Sequence, residues 1–223
     1  MTITQWLETY ITLHEHDDPR EERANSLTHL LGSLLSLGTL IWLLFRFSDF
    51  HRPALAWASL VYVLSMFILY SASSLYHALP RGNGKRICRI LDHSNIYFLI
   101  AGTYTPVLVY LNSARGLQLL GVVWAVAALG IVFTLVFWGR YGFLHVALYL
   151  AMGWMILLFR RDIIPFLPDD LLSWVLAGGI TYSGGVIFYA MKKLPFYHAI
   201  WHLFVLAGSV LFFMGFVFHL FQV

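Results

Sequence analysis

Charge is scarce in this sequence. Asp, Glu, Lys and Arg make up 11% of its 223 residues, whereas a soluble globular protein carries about 25%. That deficit excludes the one or two water-soluble domains the length would otherwise accommodate. Cysteine is scarcer still: Cys88 stands alone, which rules out an intrachain disulfide and any multi-cysteine metal site. It falls in a basic segment expected to be a loop. No low-complexity linker and no fixed-period repeat divides the chain. The net charge of +3 is too small and too scattered to mark a nucleic-acid partner. Met1–Asp17 lacks the basic and apolar regions of a cleavable signal, so the first apolar span is expected to remain as an anchor.

What the sequence has instead is apolar length. Hydrophobic residues reach 60% and gather into charge-free runs of the roughly 20 residues that a helix needs to cross a bilayer. The expected fold is an all-α integral membrane protein. It comprises an N-terminal segment 1–24 and a seven-transmembrane helix bundle over 25–223, with spans near 27–46, 54–78, 92–114, 117–139, 141–159, 171–191 and 196–220. The Gly139-Arg140 corner separates the fourth span from the fifth. A barrel is excluded because its strands alternate apolar and polar residues, and these runs do not. Arg20, Arg23, Arg81, Lys85, Arg86, Arg89, Arg140, Lys192 and Lys193 fall on the side of the N-terminus. Arg46, Arg52, Arg115, Arg160 and Arg161 fall on the other side. That bias predicts a cytoplasmic N-terminus, an extracytoplasmic C-terminus and a multi-pass location in the cell membrane. Trp6, Leu7, Tyr10 and Ile11 suit either a short amphipathic helix lying on the membrane or a loose tail. Gly178, Gly179, Ser183, Gly184 and Gly185 suit close approach of helix backbones. Thr105-Pro106 is expected to kink the third span, and Trp42, Trp57 and Trp174 suit an aromatic belt.

Ionisable residues inside such spans are costly and point to function. Of ten histidines, His14, His16 and His51 lie in water-exposed segments. His145 and His219 sit near span ends, and His93 reads as a helix-terminus residue. The other four converge. His29 begins span one, His77 ends span two, and His198 and His202 begin span seven, all at one membrane face. Asp92 opens span three at the same height. His198 and His202 stand at i and i+4 on one helix face, a spacing that suits a shared ion. With His77 they make three imidazoles and an open position, the ligand set of a catalytic zinc site. Asp92 could take a proton from a metal-activated water, or else serve as an N-cap or salt-bridge partner. Ser73 lies one turn before His77 on the same face, either beside the ion or bonded back to its own helix. Glu22, Asn25 and His29 either support the metal ligands from outside or cap span one.

These residues carry a resemblance. Glu22-Arg23-Ala24-Asn25-Ser26-Leu27-Thr28-His29, Ser73-Ser74-Leu75-Tyr76-His77, Leu91-Asp92-His93-Ser94-Asn95, Ala101-Gly102-Thr103-Tyr104-Thr105-Pro106 and His198-Ala199-Ile200-Trp201-His202 occur in the order found in the progestin and adipoQ receptor family. The chain most resembles that family's hemolysin III branch. The resemblance spans the chain and implies a seven-helix bundle with its N-terminus inside. It also implies zinc held by His77, His198 and His202, with Asp92 reaching the metal through water and Ser73 close by.

Three functions are consistent with such a site. One is a zinc-dependent hydrolase of a membrane lipid amide or ester, ceramidase-like, since the wider superfamily includes alkaline ceramidases. Another is a non-enzymatic membrane-homeostasis or receptor-like factor with a structural zinc. The third is a pore-forming cytolysin, which the absence of a polar stripe along the spans disfavours. The lipid bilayer, and a lipid as substrate or ligand, are the expected partners.

Overall fold

The computed structural model of the chain describes residues 1–13, 18–138, 140 and 142–221; His14, His16, Gly139 and Tyr141 lie outside them. Its longest elements are helices because a backbone in lipid must satisfy its own polar groups. Among the described residues seven helical stretches are long and apolar enough to cross a membrane. They follow a short helix α1 (Ile3–Tyr10) and comprise α2 (Pro19–Phe45), α3 (Pro53–Ala78), α4 (Asn83–Leu111), α5 (Ala114–Val136), a broken fifth crossing (Gly142–Phe166), α8 (Asp169–Ala190) and α9 (Tyr197–His219). The fifth crossing contains α6 (Gly142–Gly153) and α7 (Arg160–Ile163). α3 packs between α2 and α4, while α9 packs on both α8 and α2. Large apolar side chains face outward, Phe45 at 81% and Phe143 at 87% exposure, as a lipid-facing surface requires.

Two helices begin earlier than the apolar runs suggest. α2 starts at Pro19 because Asp18 accepts from the Arg20 N–H at 2.8 Å. Proline then occupies the first turn, where its missing N–H costs nothing, and Glu21 and Glu22 follow at the positive helix end. α4 starts at Asn83, so the basic stretch Lys85–Arg89 is helix rather than loop and Cys88 is a half-buried helical residue. Asp92 therefore lies well inside the helix. Gly82 precedes the first turn, so Asp92 is not its cap. His93 is likewise interior, its Nδ1 on the Arg89 carbonyl at 3.0 Å. α4 continues through Pro106 as one helix.

The N-terminal segment docks on α4. Leu7 and Ile11 are buried while Tyr10 is exposed. Arg86 donates to the Ile11 carbonyl at 3.1 Å and Arg89 to the Thr12 carbonyl, groups left without partners where α1 ends. α8 and α9 approach closely, with Gly178, Gly185, Gly208 and Gly215 each set against an aromatic side chain of the facing helix. A Cβ on Gly178 would stand 2.6 Å from the Phe212 ring, and one on Gly215 would stand 2.6 Å from the Trp174 Cβ.

The fifth crossing loses its α-helical ladder at Gly153, continuing as a 3₁₀ turn over Met155–Phe159. Tyr104 of α4 closes the gap. Its hydroxyl donates toward the carbonyls of Met152 at 3.1 Å and Gly153 at 2.7 Å, and accepts the Ile156 N–H at 3.0 Å. Broken helices persist in membranes only where such partners exist. Tyr104→Phe is expected to destabilise the fold by about 1–2 kcal/mol, read as a lower unfolding midpoint in detergent.

Candidate metal centre

The site forms where three helices meet at the N-terminal face of the bundle. α3 delivers His77 from its last turn, and α9 delivers His198 and His202 from its first two. One ring nitrogen from each lies within 4.8 Å of the other two. His77 and His202 are buried at 7% and 2% exposure, and His198 is half-buried.

Hydrogen bonds around the rings fix which nitrogens face inward. Glu22 of α2 places Oε1 2.7 Å from His77 Nδ1. A carboxylate accepts, so Nδ1 carries a proton and Nε2 is the nitrogen left for another partner. His202 Nδ1 lies 3.1 Å from the Asn25 carbonyl and 3.2 Å from Thr28 Oγ1. The Thr28 hydroxyl is itself donated to carbonyls of its own helix at 2.9 Å, so His202 Nδ1 is again the donor. Outer donation of Nδ1–H with Nε2 left bare is the arrangement of metal-ligating histidines. His77 Nε2 is buried without a hydrogen-bond partner. A buried lone pair without a donor is costly, and a cation among the three imidazoles would satisfy it. The donor set suits a borderline metal bound by nitrogen.

Glu22, Asn25 and His29 thus do not act as a cap on α2, which Asp18 supplies. Glu22 also accepts from Lys85 Nζ at 2.6 Å, joining α2, α3 and α4. His29, 3% exposed, stacks on His202 with centroids 3.5 Å apart and planes at 13°. It lies outside the group of three. Asp92 is buried on α4, 3.5 Å from His93 Nδ1. It too is absent from the ligand group. Ser73 is fully buried one turn deeper, close to Asp92, and its Oγ makes no hydrogen bond of ordinary geometry.

Lys85 and Thr28 are participants that motif spacing left out. Lys85, Arg89 and Asp92 are all buried. Their i, i+4, i+7 spacing marks one helix face, a signal present in the sequence but masked by its charge.

A cavity of about 430 Å³ extends from this centre between α4, α6, α8 and α9. Asp92, His29, His198 and His202 line one end, and Val107, Ile156 and Phe212 line the other. Its size and apolar interior match sites for small amphiphiles.

Comparison with known proteins agrees with this architecture. A family model described as "Haemolysin-III related" matches residues 18–213, a range that contains every residue of the centre. Hemolysin-3 of Bacillus cereus is 42% identical over 90% of this chain and 92% of its own length. A Hemolysin-3 homolog of Bacillus subtilis is 41% identical over 90% of this chain and 94% of its own. The human Monocyte to macrophage differentiation factor is 27% identical over 85% of this chain and 80% of its own. With seven apolar helices in the bundle, the chain belongs to the haemolysin-III related family of multi-pass cell-membrane proteins.

Proposed function

We propose that the chain is a zinc-dependent hydrolase acting on an amide or ester of a membrane lipid. One observation carries this: two imidazoles donate Nδ1–H outward and present bare nitrogens beside a third, at the polar end of an apolar cavity. His77, His198 and His202 would hold the metal, which when bound would supply a Lewis acid that polarises a carbonyl and acidifies water. Asp92, buried but outside the ligand group, is the base that accepts the proton and passes it to the leaving group. Glu22 and the Asn25 carbonyl keep the two ring tautomers. Ser73 offers a hydroxyl to the reacting oxygen, and His29 braces His202 by stacking. The apolar walls hold an acyl chain and exclude water from the far end. The site is read as facing the cytoplasm, on the excess of Lys and Arg at that end of the bundle.

The test is metal analysis of purified protein with hydrolysis of a lipid amide and its ester analogue. Wild type is expected to carry about one zinc per chain and to release fatty acid, while His77→Ala and His202→Ala lose both. Equal metal in all three proteins would remove the site.

A second reading has its own support, because the same bonds tie α2, α3 and α9 together. A metal there could act as a staple in a membrane-homeostasis factor. Stripping the metal would then lower the unfolding midpoint steeply, with no turnover in any variant.

A further inference from the structure

The interior of the cavity is apolar, but its rim at the N-terminal face is not. Arg140, between the fourth and fifth crossings, and Lys192, just beyond α8, both line it, with Arg89 and Trp138 beside them. Arg89 is engaged: it bonds the Thr12 carbonyl and lies over the rings of Tyr76 and Trp138. Arg140 and Lys192 form no ion pair with a carboxylate among the described residues. The Trp138 Nε1–H is buried and finds no acceptor among the described residues. Asp92 is the one carboxylate among the described lining residues, and it belongs to the metal centre.

Among the described residues, donors and positive charge at the rim therefore exceed the acceptors and carboxylates that answer them. A neutral head group would leave that excess unmatched. A phosphate or carboxylate supplies several acceptor oxygens with a compensating charge. Topology alone asks only that basic residues lie near this end of the bundle. It asks neither that they line the cavity nor that an indole N–H beside them stay unpaired.

We propose that the rim selects amphiphiles with an anionic head. Arg140, Lys192 and the Trp138 N–H hold a lipid-borne phosphate or carboxylate while the acyl chain enters the cavity. The inference rests on the lipid-hydrolase reading for its bearing on turnover. There it makes the substrate an acyl amide or ester that carries negative charge, in preference to a neutral one.

Binding tests it without chemistry. The full chain, in phosphatidylcholine nanodiscs with a chelator present, is titrated with a lysophosphatidate and with a monoacylglycerol bearing the same fluorescent acyl chain. The chelator removes turnover and any contact between phosphate and metal. The phosphate-bearing lipid is expected to bind about tenfold tighter, with the ratio shrinking as salt rises. Arg140→Gln/Lys192→Gln should bring the ratio close to unity, whereas Arg140→Lys/Lys192→Arg should preserve it. Inorganic phosphate at the same concentration should displace neither lipid. Equal affinities in wild type would overturn the proposal, as would a preference that survives the Gln variant. Displacement by inorganic phosphate would show a site for the free ion and would overturn it as well. Hydrolysis of neutral lipids with no anionic preference would sink this inference and leave the hydrolase standing.

Discussion

Asp92→Asn is expected to lower turnover of a lipid amide by about 10²–10⁴-fold while the zinc content of the protein stays at the wild-type level. The substitution keeps the volume of the side chain, so it opens no cavity in α4, where Asp92 is 8% exposed. What it removes is a group that can take up a proton beside the imidazoles. Asp92 contributes no atom to the cluster of three nitrogens, so the ion should remain. Single-turnover kinetics with metal analysis on the same preparation separate the outcomes. Parallel loss of metal and turnover would make Asp92 a ligand or a strut, and unchanged turnover would remove it as the base.

Glu22→Gln should weaken zinc binding by about 10–100-fold, the usual effect of losing an outer carboxylate partner of a ligating histidine. The amide can still accept from His77 Nδ1, but it no longer raises the basicity of the ring. Glu22 also neutralises Lys85, whose side chain is 5% exposed against 16% for Glu22. Leaving that ammonium buried without its counter-ion costs about 3–5 kcal/mol, so Glu22→Gln should also lower the unfolding midpoint. Pairing it with Lys85→Met should restore much of the stability but not the affinity. Chelator competition measures one quantity and detergent unfolding the other. Recovery of both together would mean that Glu22 acts on the fold alone.

Apolar run length gave the number of crossings, matched by seven helical stretches long and apolar enough to cross, because a bilayer demands long charge-poor runs and little else in a sequence produces them. Depth and i, i+4 spacing brought His77, His198 and His202 to one face, and the structure brings them within 4.8 Å. Long-range partners stayed out of reach of this reasoning. Lys85 and Arg89 look like loop residues until Glu22 and the Thr12 carbonyl are seen to receive them. Glu22 looks like a helix-start acid until it reaches His77. The docking of α1 depends on the same contacts, since Leu7 and Ile11 are too few to announce a buried face. The break at Gly153 has no proline to signal it and is held open by a tyrosine on another helix.

That break bears on how the protein meets membranes of different thickness. The longest α-helical piece of the fifth crossing, α6 with 12 residues, rises about 18 Å, little more than half of a hydrocarbon core. The remainder is largely 3₁₀ turns, which climb about 2 Å per residue and can shorten by winding back toward α. Neighbouring crossings adjust to a thinner or thicker bilayer mainly by tilting as whole rods. The fifth carries its joint in a wall of the cavity, where Gly153, Trp154 and Ile156 line it, so a change in bilayer thickness is expected to reach that chamber through this crossing.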